Sequence, residues 1–217
     1  MKIKILFFAG ALLFIYTVQA QSFKFGTIAA DAGVGIRIYG VKAYSPVNKS
    51  DIIGIFLGLG LPTVNAEVGI TKFLGAGIKY SRGAYAQQGF KVRTNDVNVC
   101  VNIHVANKND KFDLPITLGY GFSKFKADQI VTSGTGQFIH ANGGVINVSI
   151  APHFYFSKYI GMYLRLGYNK GLYKHVDIDS GSDHYSEADG ATWKMGGLDF
   201  SVGIAGRFGL FDKKEKE

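Results

Sequence analysis

The chain has 217 residues, 24 Lys and Arg against 16 Asp and Glu, and a formal charge of +8 at neutral pH. It contains a single cysteine, Cys100, so an internal disulfide is excluded and the fold stands without covalent staples. Its basic residues are scattered rather than clustered, which argues against a nucleic-acid partner and for an anionic membrane surface.

The N-terminus reads as a secretory signal peptide. Lys2 and Lys4 precede an apolar run from Ile5 to Val18, and Val18-Gln19-Ala20 offers small residues at the two positions a signal peptidase reads. The apolar core is too short for the roughly 20 residues a membrane-spanning helix needs. Cleavage after Ala20 removes 20 residues and leaves 197 of the 217, and the loss of Lys2 and Lys4 takes the charge from +8 to +6. The expected organisation is a signal peptide over 1–20, one β-barrel domain over 21–211, and a charged periplasmic tail over 212–217.

Beyond the signal peptide the longest apolar stretch, Ile52 to Leu61, is interrupted by Gly54, Gly58 and Gly60 and cannot span a membrane as a helix. Lipid leaves no backbone group unpaired, so membrane entry requires strands closed into a barrel. The pattern supplies such strands in order. Short alternating stretches occur at Val34 to Tyr39, Val64 to Thr71 and Ala76 to Ser81. Longer ones follow: Val97 to Val105, Leu114 to Phe122, Ile146 to Phe156, Met162 to Tyr168 and Leu198 to Leu210. A period of two places one face of each segment in each environment.

Alternation alone also suits a soluble barrel such as a lipocalin, and the composition of the polar face decides. That face is mostly Gly, Asn, Ser and Ala in a chain only 18% charged. It suits a tight polar lumen, with the apolar face turned to lipid. Tyr80, Tyr120, Phe122 and Tyr168 gather at one end of the apolar faces and Phe154, Phe156 and Phe208 at the other, as two interfacial girdles.

Short links at 71–75, 106–113 and 157–160 alternate with longer ones at about 44–53, 84–96, 125–144 and 172–197. This predicts an antiparallel up-and-down transmembrane β-barrel of eight strands, with periplasmic turns, extracellular loops and both termini on the periplasmic side. Apolar residues switch from odd to even positions between Leu61 and Val64. We read one long second strand with a bulge at Pro62; a separate hairpin over 53–61 is the alternative.

Leu61-Pro-Thr-Val-Asn-Ala-Glu67-Val-Gly-Ile-Thr-Lys-Phe, followed by Leu74-Gly-Ala-Gly-Ile-Lys-Tyr-Ser, resembles the second hairpin of OmpA/OmpX-like outer-membrane barrels common in Bacteroidetes. Ala151 to Tyr168 resembles a later hairpin of the same group. The resemblance covers most of the mature chain and implies a monomeric barrel in the bacterial outer membrane, in contact with its lipid and lipopolysaccharide and inserted by the barrel assembly machinery. Barrels of this type often end on an aromatic residue read by that machinery. Here Phe208, Leu210 and Phe211 are followed by Asp212 to Glu217, a departure from the pattern.

The inward parity collects Arg37, Glu67, Lys79, His104, His153, Arg165, Asp199 and Arg207. Charges enclosed in a narrow barrel need partners, because isolated buried ions are costly. The expectation is a polar plug; an ion or proton path is the alternative reading. A hairpin turn centred on Phe73 would oppose Glu67 and Lys79 as an ion pair shared with Arg37.

The expected role is structural or surface-interacting. The alternatives are a lipid A-modifying enzyme and a narrow diffusion channel, the latter limited because an eight-strand interior is just filled by side chains. His153 and Ser157 lie near a periplasmic turn, with no carboxylate at a convincing spacing, and His140, His175 and His184 read as loop residues. No cofactor is implied and no catalytic set or resident metal is expected. The last long loop holds Asp177, Asp179, Asp183 and Glu187 near Gly181, an oxygen-rich spacing suited to a cation such as calcium but unlike an EF-hand. The extracellular partner is not readable from the loops.

Overall fold

The computed structural model describes residues 23–45, 50–87, 90–105, 111–129, 137–180, 183–185 and 192–209. The segments read as a signal peptide and a charged tail, and parts of the connections, including Glu187, lie outside these.

Among the described residues ten strands follow one another along the chain. They are β1 (Thr27–Ser45), β2 (Ser50–Gly69), β3 (Leu74–Gln87), β4 (Phe90–Val105) and β5 (Phe112–Gln129). Then come β6 (Gln137–Ile150), β7 (His153–Tyr155), β8 (Ile160–Ser180), β9 (Asp183–Tyr185) and β10 (Thr192–Gly209). Eight are long and pair antiparallel in the order β10-β1-β2-β3-β4-β5-β6-β8, and β8 pairs with β10 to close the ring. The short β9 pairs with the end of β8.

β7 continues the path of β6 after an interruption at Ala151-Pro152. Pro152 lacks an N–H, but the ladder resumes around it: Ala151 donates to the Pro115 carbonyl (3.0 Å) and Leu164 to the Pro152 carbonyl (3.1 Å). The barrel is therefore all-β, eight-stranded and up-and-down, with short extra pairings.

β2 runs unbroken through Leu61-Pro62. On one side Gly33 pairs with Thr63 and Gly35 with Gly60; on the other Gly60 pairs with Gly83 and Thr63 with Ser81. Two residues thus oppose the single Val34 and the single Arg82, and the pattern switches phase. Ile55 and Leu57 point outward before the bulge, Val64 and Val68 after it. The described residues form no separate hairpin over 53–61.

Two differences from the sequence reading concern strand length and register. The segments read as long loops are largely strand: β3 and β4 pair out to Gln87–Phe90, and β6 and β8 out to Gln137–Ser180. His140 and His175 accordingly sit on β6 and β8, and His184 on β9. In the β2–β3 hairpin Glu67 pairs with Gly77 and Lys79 with Asn65, two residues from the expected register. The shift leaves both faces unchanged, because side chains alternate with period two.

The physical reason for this register is the turn. Ile70 and Thr71 donate to the Leu74 carbonyl, and the Thr71 hydroxyl accepts from the Phe73 and Leu74 amides, at 2.8 to 3.3 Å. This hydroxyl-stabilised turn is centred on Lys72, one residue before Phe73, and so shifts the pairing by two. Ser157 builds the same turn between β7 and β8.

The outer face is apolar from strand to strand. Ile36 and Ile38, Val99 and Val101, Leu164 and Leu166, and Phe200, Val202 and Ile204 are all exposed, Val99 and Ile204 to 68% and 69%. A closed surface of this kind faces lipid rather than water. Tyr120, Phe122 and Tyr168 stand exposed toward one end; Phe25, Phe73, Phe154, Phe156, Tyr159 and Phe208 stand exposed at the turn end. Strands of 14 to 21 residues exceed the 9 to 11 or so that cross a bilayer, so the barrel projects beyond the lipid at the end away from the turns.

Candidate functional site in the barrel lumen

All eight residues assigned to the inward face are buried, and the structure surrounds each with polar or aromatic neighbours. At the turn end the chain before β1 folds under the barrel. Gly26 takes φ 74°, a left-handed conformation that glycine adopts readily, and donates to the Gly69 carbonyl at 2.9 Å. This turns Phe23 inward, where it is 1% exposed and stacks on the His104 ring. His104 lies between two carboxylates: Nδ1 is 2.8 Å from Asp113 Oδ2 and Nε2 is 3.2 Å from Glu67 Oε2. Asn102 Nδ2 also donates to Glu67 Oε2. Arg207 closes the rim beside them, its guanidinium 3.9 Å from the centre of the Tyr155 ring and its Nε donating to the Lys158 carbonyl.

In the middle, Arg165 Nη2 donates to both oxygens of Asp31, at 2.9 and 2.8 Å, and Asn65 Nδ2 donates to the same carboxylate at 3.1 Å. Nε2 of His153 is 3.8 Å from Asp31, beyond hydrogen-bond range. A chain of amides crosses the lumen: Lys79 Nζ donates to Asn147, Asn147 to Asn169, and Asn169 to Asp199, at 3.3, 2.7 and 3.4 Å. Arg37 is fully buried and sits 3.4 Å from Asp199 and 3.2 Å from Asp96. Thr94 accepts from Arg37 Nη1, while Ser123 and Ser81 donate to Asp96.

Above this network the lumen is apolar. Tyr39, Val41, Val92, Phe125, Ala127, Val176, Trp193 and Met195 pack together, with Phe125 and Trp193 ring centres 4.5 Å apart. A cavity of about 10 Å³ lies between the two layers, lined by Tyr39, Asp96, Asn169, Tyr173 and Met195 among others; it has room for about one water.

Among the described residues five buried carboxylates, Asp31, Glu67, Asp96, Asp113 and Asp199, face four buried Lys and Arg side chains and two histidines. The interior therefore neutralises itself, which is the condition for keeping ions out of water. Three of those carboxylates were absent from the sequence reading. Asp31 precedes the first alternating stretch, while Asp96 and Asp113 fall in segments read as connections. Each nonetheless continues an inward parity: Asp31 with Arg37, Asp96 with Asn98, and Asp113 with Thr117. Extending the alternation outward would have found them. The apolar cluster was also not anticipated, since several of its members fall in segments read as loops.

Asp177 and Asp179 lie on β8, with Asp183 on β9 opposite Ser180, and Glu187 lies outside the described residues. Among the described residues no group of three or more His, Cys, Asp and Glu side chains is placed to hold a metal ion.

No protein-family model and no curated protein matches the chain. Solved structures do. The outer membrane protein OprG from Pseudomonas aeruginosa matches over 88% of this chain and 100% of its own, at a TM-score of 0.57 and 9% identity. A major outer membrane protein from Thermus thermophilus matches over 84% of this chain and 99% of its own, at 0.55 and 12%. The fold is that of the bacterial outer-membrane β-barrels.

Proposed function

We propose that this is a closed, non-conducting outer-membrane barrel that works through its outer surface and projecting rim, as a structural or surface-interaction protein. One observation carries the reading. The lumen is filled from the Phe23–His104 stack, through the ion network, to the Phe125–Trp193 cluster, so the interior is a packed core rather than a conduit. Self-neutralising pairs favour this over a diffusion channel, and their side chains are engaged with one another rather than arranged about a substrate cleft, which favours it over a lipid-modifying enzyme.

Within that class we read the chain as an OmpA/OmpX-like barrel, a reading supported by the eight long strands and tight turns. In the orientation we propose, the short turns face the periplasm and the long strand ends face outward.

The test is electrical. The refolded protein in planar bilayers should show no stable open-channel current, whereas steady conductance in the range of general porins would overturn the reading. Heat-modifiable migration on gels verifies that the protein tested is the folded barrel.

A further inference from the structure

Beyond the aromatic band the outward face of the barrel becomes cationic. On β3, β4 and β5 the band ends with Tyr80, Val97 and Phe122, which stand side by side in register. The next outward row holds Arg82, Asn95 and Lys124, and the one after it pairs Arg93 with Lys126. Arg82, Lys124 and Lys126 are exposed and Arg93 half-buried. Among the described residues none of these four cations forms an ion pair. Lys124 instead lies over the Phe122 ring, 5.8 Å from its centre.

The arrangement recurs across the barrel. Lys42 on β1 pairs directly with Lys194 on β10, and Lys170 on β8 stands one outward position beyond Tyr168. Among the described residues acidic groups are fewer on this surface: Asp128 opposes Lys91, Asp177 opposes His140, and Asp179 follows Asp177 outward on β8.

Like charges directly opposed across strands are destabilising. One such pair, Arg93–Lys126, lies at the margin of the lipid belt. Its height identifies what neutralises it. At roughly 3.3 Å per residue, Arg82 and Lys124 stand about 7 Å, and Arg93 and Lys126 about 13 Å, of strand beyond the aromatic row. Aromatic girdles mark the headgroup level, so the phosphate groups of the surrounding lipid occupy this height.

We propose that Arg82, Arg93, Lys124 and Lys126 form a binding surface for a phosphorylated glycolipid of the outer leaflet. Its acyl chains lie on the apolar face of β3–β5, and its phosphates bridge the opposed cations. Asn95 and Asn142, which flank Lys124 on the neighbouring strands, add polar side chains at the height of its sugars. The inference rests on the orientation proposed above. Its test reads binding in micelles and not conductance, so the two readings fail separately.

The refolded barrel in zwitterionic detergent is titrated with fluorescent bis-phosphorylated lipid A, with the same lipid stripped of phosphate, and with inorganic phosphate as competitor. Saturable binding of the phosphorylated lipid is expected, weakened by salt and by removal of the phosphates. The variant Arg82→Gln/Arg93→Gln/Lys124→Gln/Lys126→Gln should lose about tenfold or more in affinity. If that variant fails to fold, the pair Arg93→Gln/Lys126→Gln, checked by heat-modifiable migration, should still show a clear loss. The turn-end control Lys72→Gln/Lys158→Gln should bind as the parent does.

Parent-like binding by the folded variant would overturn the proposal, as would equal binding of the dephosphorylated lipid. An equal loss in the turn-end control would reduce it to general attraction by basic rims. Competition by inorganic phosphate in the same concentration range as the lipid would reduce it to an adventitious anion only.

Discussion

The Phe23 ring lies face to face with the His104 imidazole, with centroids 3.5 Å apart and planes inclined by 11°. Phe23 is thereby the floor of the lumen, covering the nitrogen-to-carboxylate contacts that His104 makes with Asp113 and Glu67. Gly69 and Gly75 make room for it. A methyl group on Gly75 would come within 3.0 Å of Phe23 and 2.8 Å of the Glu67 carboxylate.

Removing this ring should therefore loosen the whole turn end. Phe23→Ala is expected to cost about 3 kcal/mol, the lower end of the range for truncating a buried aromatic. Urea unfolding in micelles, followed by tryptophan fluorescence, provides the measurement, with Phe25→Ala as the comparison because Phe25 is mostly exposed. Equal effects of the two changes would mean that the segment before β1 is not seated in the lumen.

The two hydroxyl-stabilised turns are chemically alike. Thr71-Lys72-Phe73-Leu74 and Ser157-Lys158-Tyr159-Ile160 each use a hydroxyl oxygen to accept from two backbone amides. In each, the carbonyl of the aromatic residue accepts from the adjacent strand, Phe73 from His104 and Tyr159 from Arg207. Thr71→Val and Ser157→Ala should each destabilise the barrel by about 1 kcal/mol, the net worth of a typical hydrogen bond. The two sites are far apart in sequence and share no partner, so the double variant should show the sum. A neutral Thr71→Val would show that the strand ends alone hold the turn.

Strand identity was legible in the sequence wherever aliphatic residues alternate with Gly, Asn and Ser, as in Val97 to Val105 and Leu198 to Leu210. The alternation also carried Arg37, Lys79, Arg165 and Asp199 to the inner face without any structure. It failed where both faces turn polar. Lys91, Arg93 and Asn95 on the outside of β4 border Thr94 and Asp96 within, and this mixture reads as a loop although the backbone is strand. Partner choice was not legible either. Period two fixes a face, but a shift of two residues changes every pairing and leaves the faces alike. Glu67 thus kept its predicted side and lost its predicted neighbour.

Packing in the lumen makes a sharp demand at Gly119. A methyl group there would lie 2.9 Å from the Cys100 sulfur and 3.3 Å from the Asn98 Cβ. Gly119→Ala should cost about 1–3 kcal/mol as overpacking. Replacing the sulfur with hydrogen, in Gly119→Ala/Cys100→Ala, should recover part of the loss. No recovery would place the strain in the β4–β5 backbone rather than at the sulfur.

The last prediction separates the observed register from the one expected. Glu67 interacts with Asn102 and His104, whereas Lys79 donates to Asn147 at the head of the amide chain that leads to Asp199. The two charges belong to different parts of the lumen, although both are buried and only 12 positions apart in one hairpin. Glu67→Gln should destabilise the barrel by up to about 3–5 kcal/mol, because it removes one carboxylate from a buried network and leaves the other members in place. Lys79→Gln breaks a different contact, so the double variant Glu67→Gln/Lys79→Gln should be additive to within about 0.5 kcal/mol. The cycle pairing Glu67→Gln with His104→Gln should instead show coupling of about 0.5–3 kcal/mol, since those side chains touch. Unfolding midpoints of the five variants, measured in the same detergent, complete both cycles. Strong coupling of Glu67 to Lys79, with none to His104, would restore the register centred on Phe73 and displace the one in which Glu67 faces Gly77.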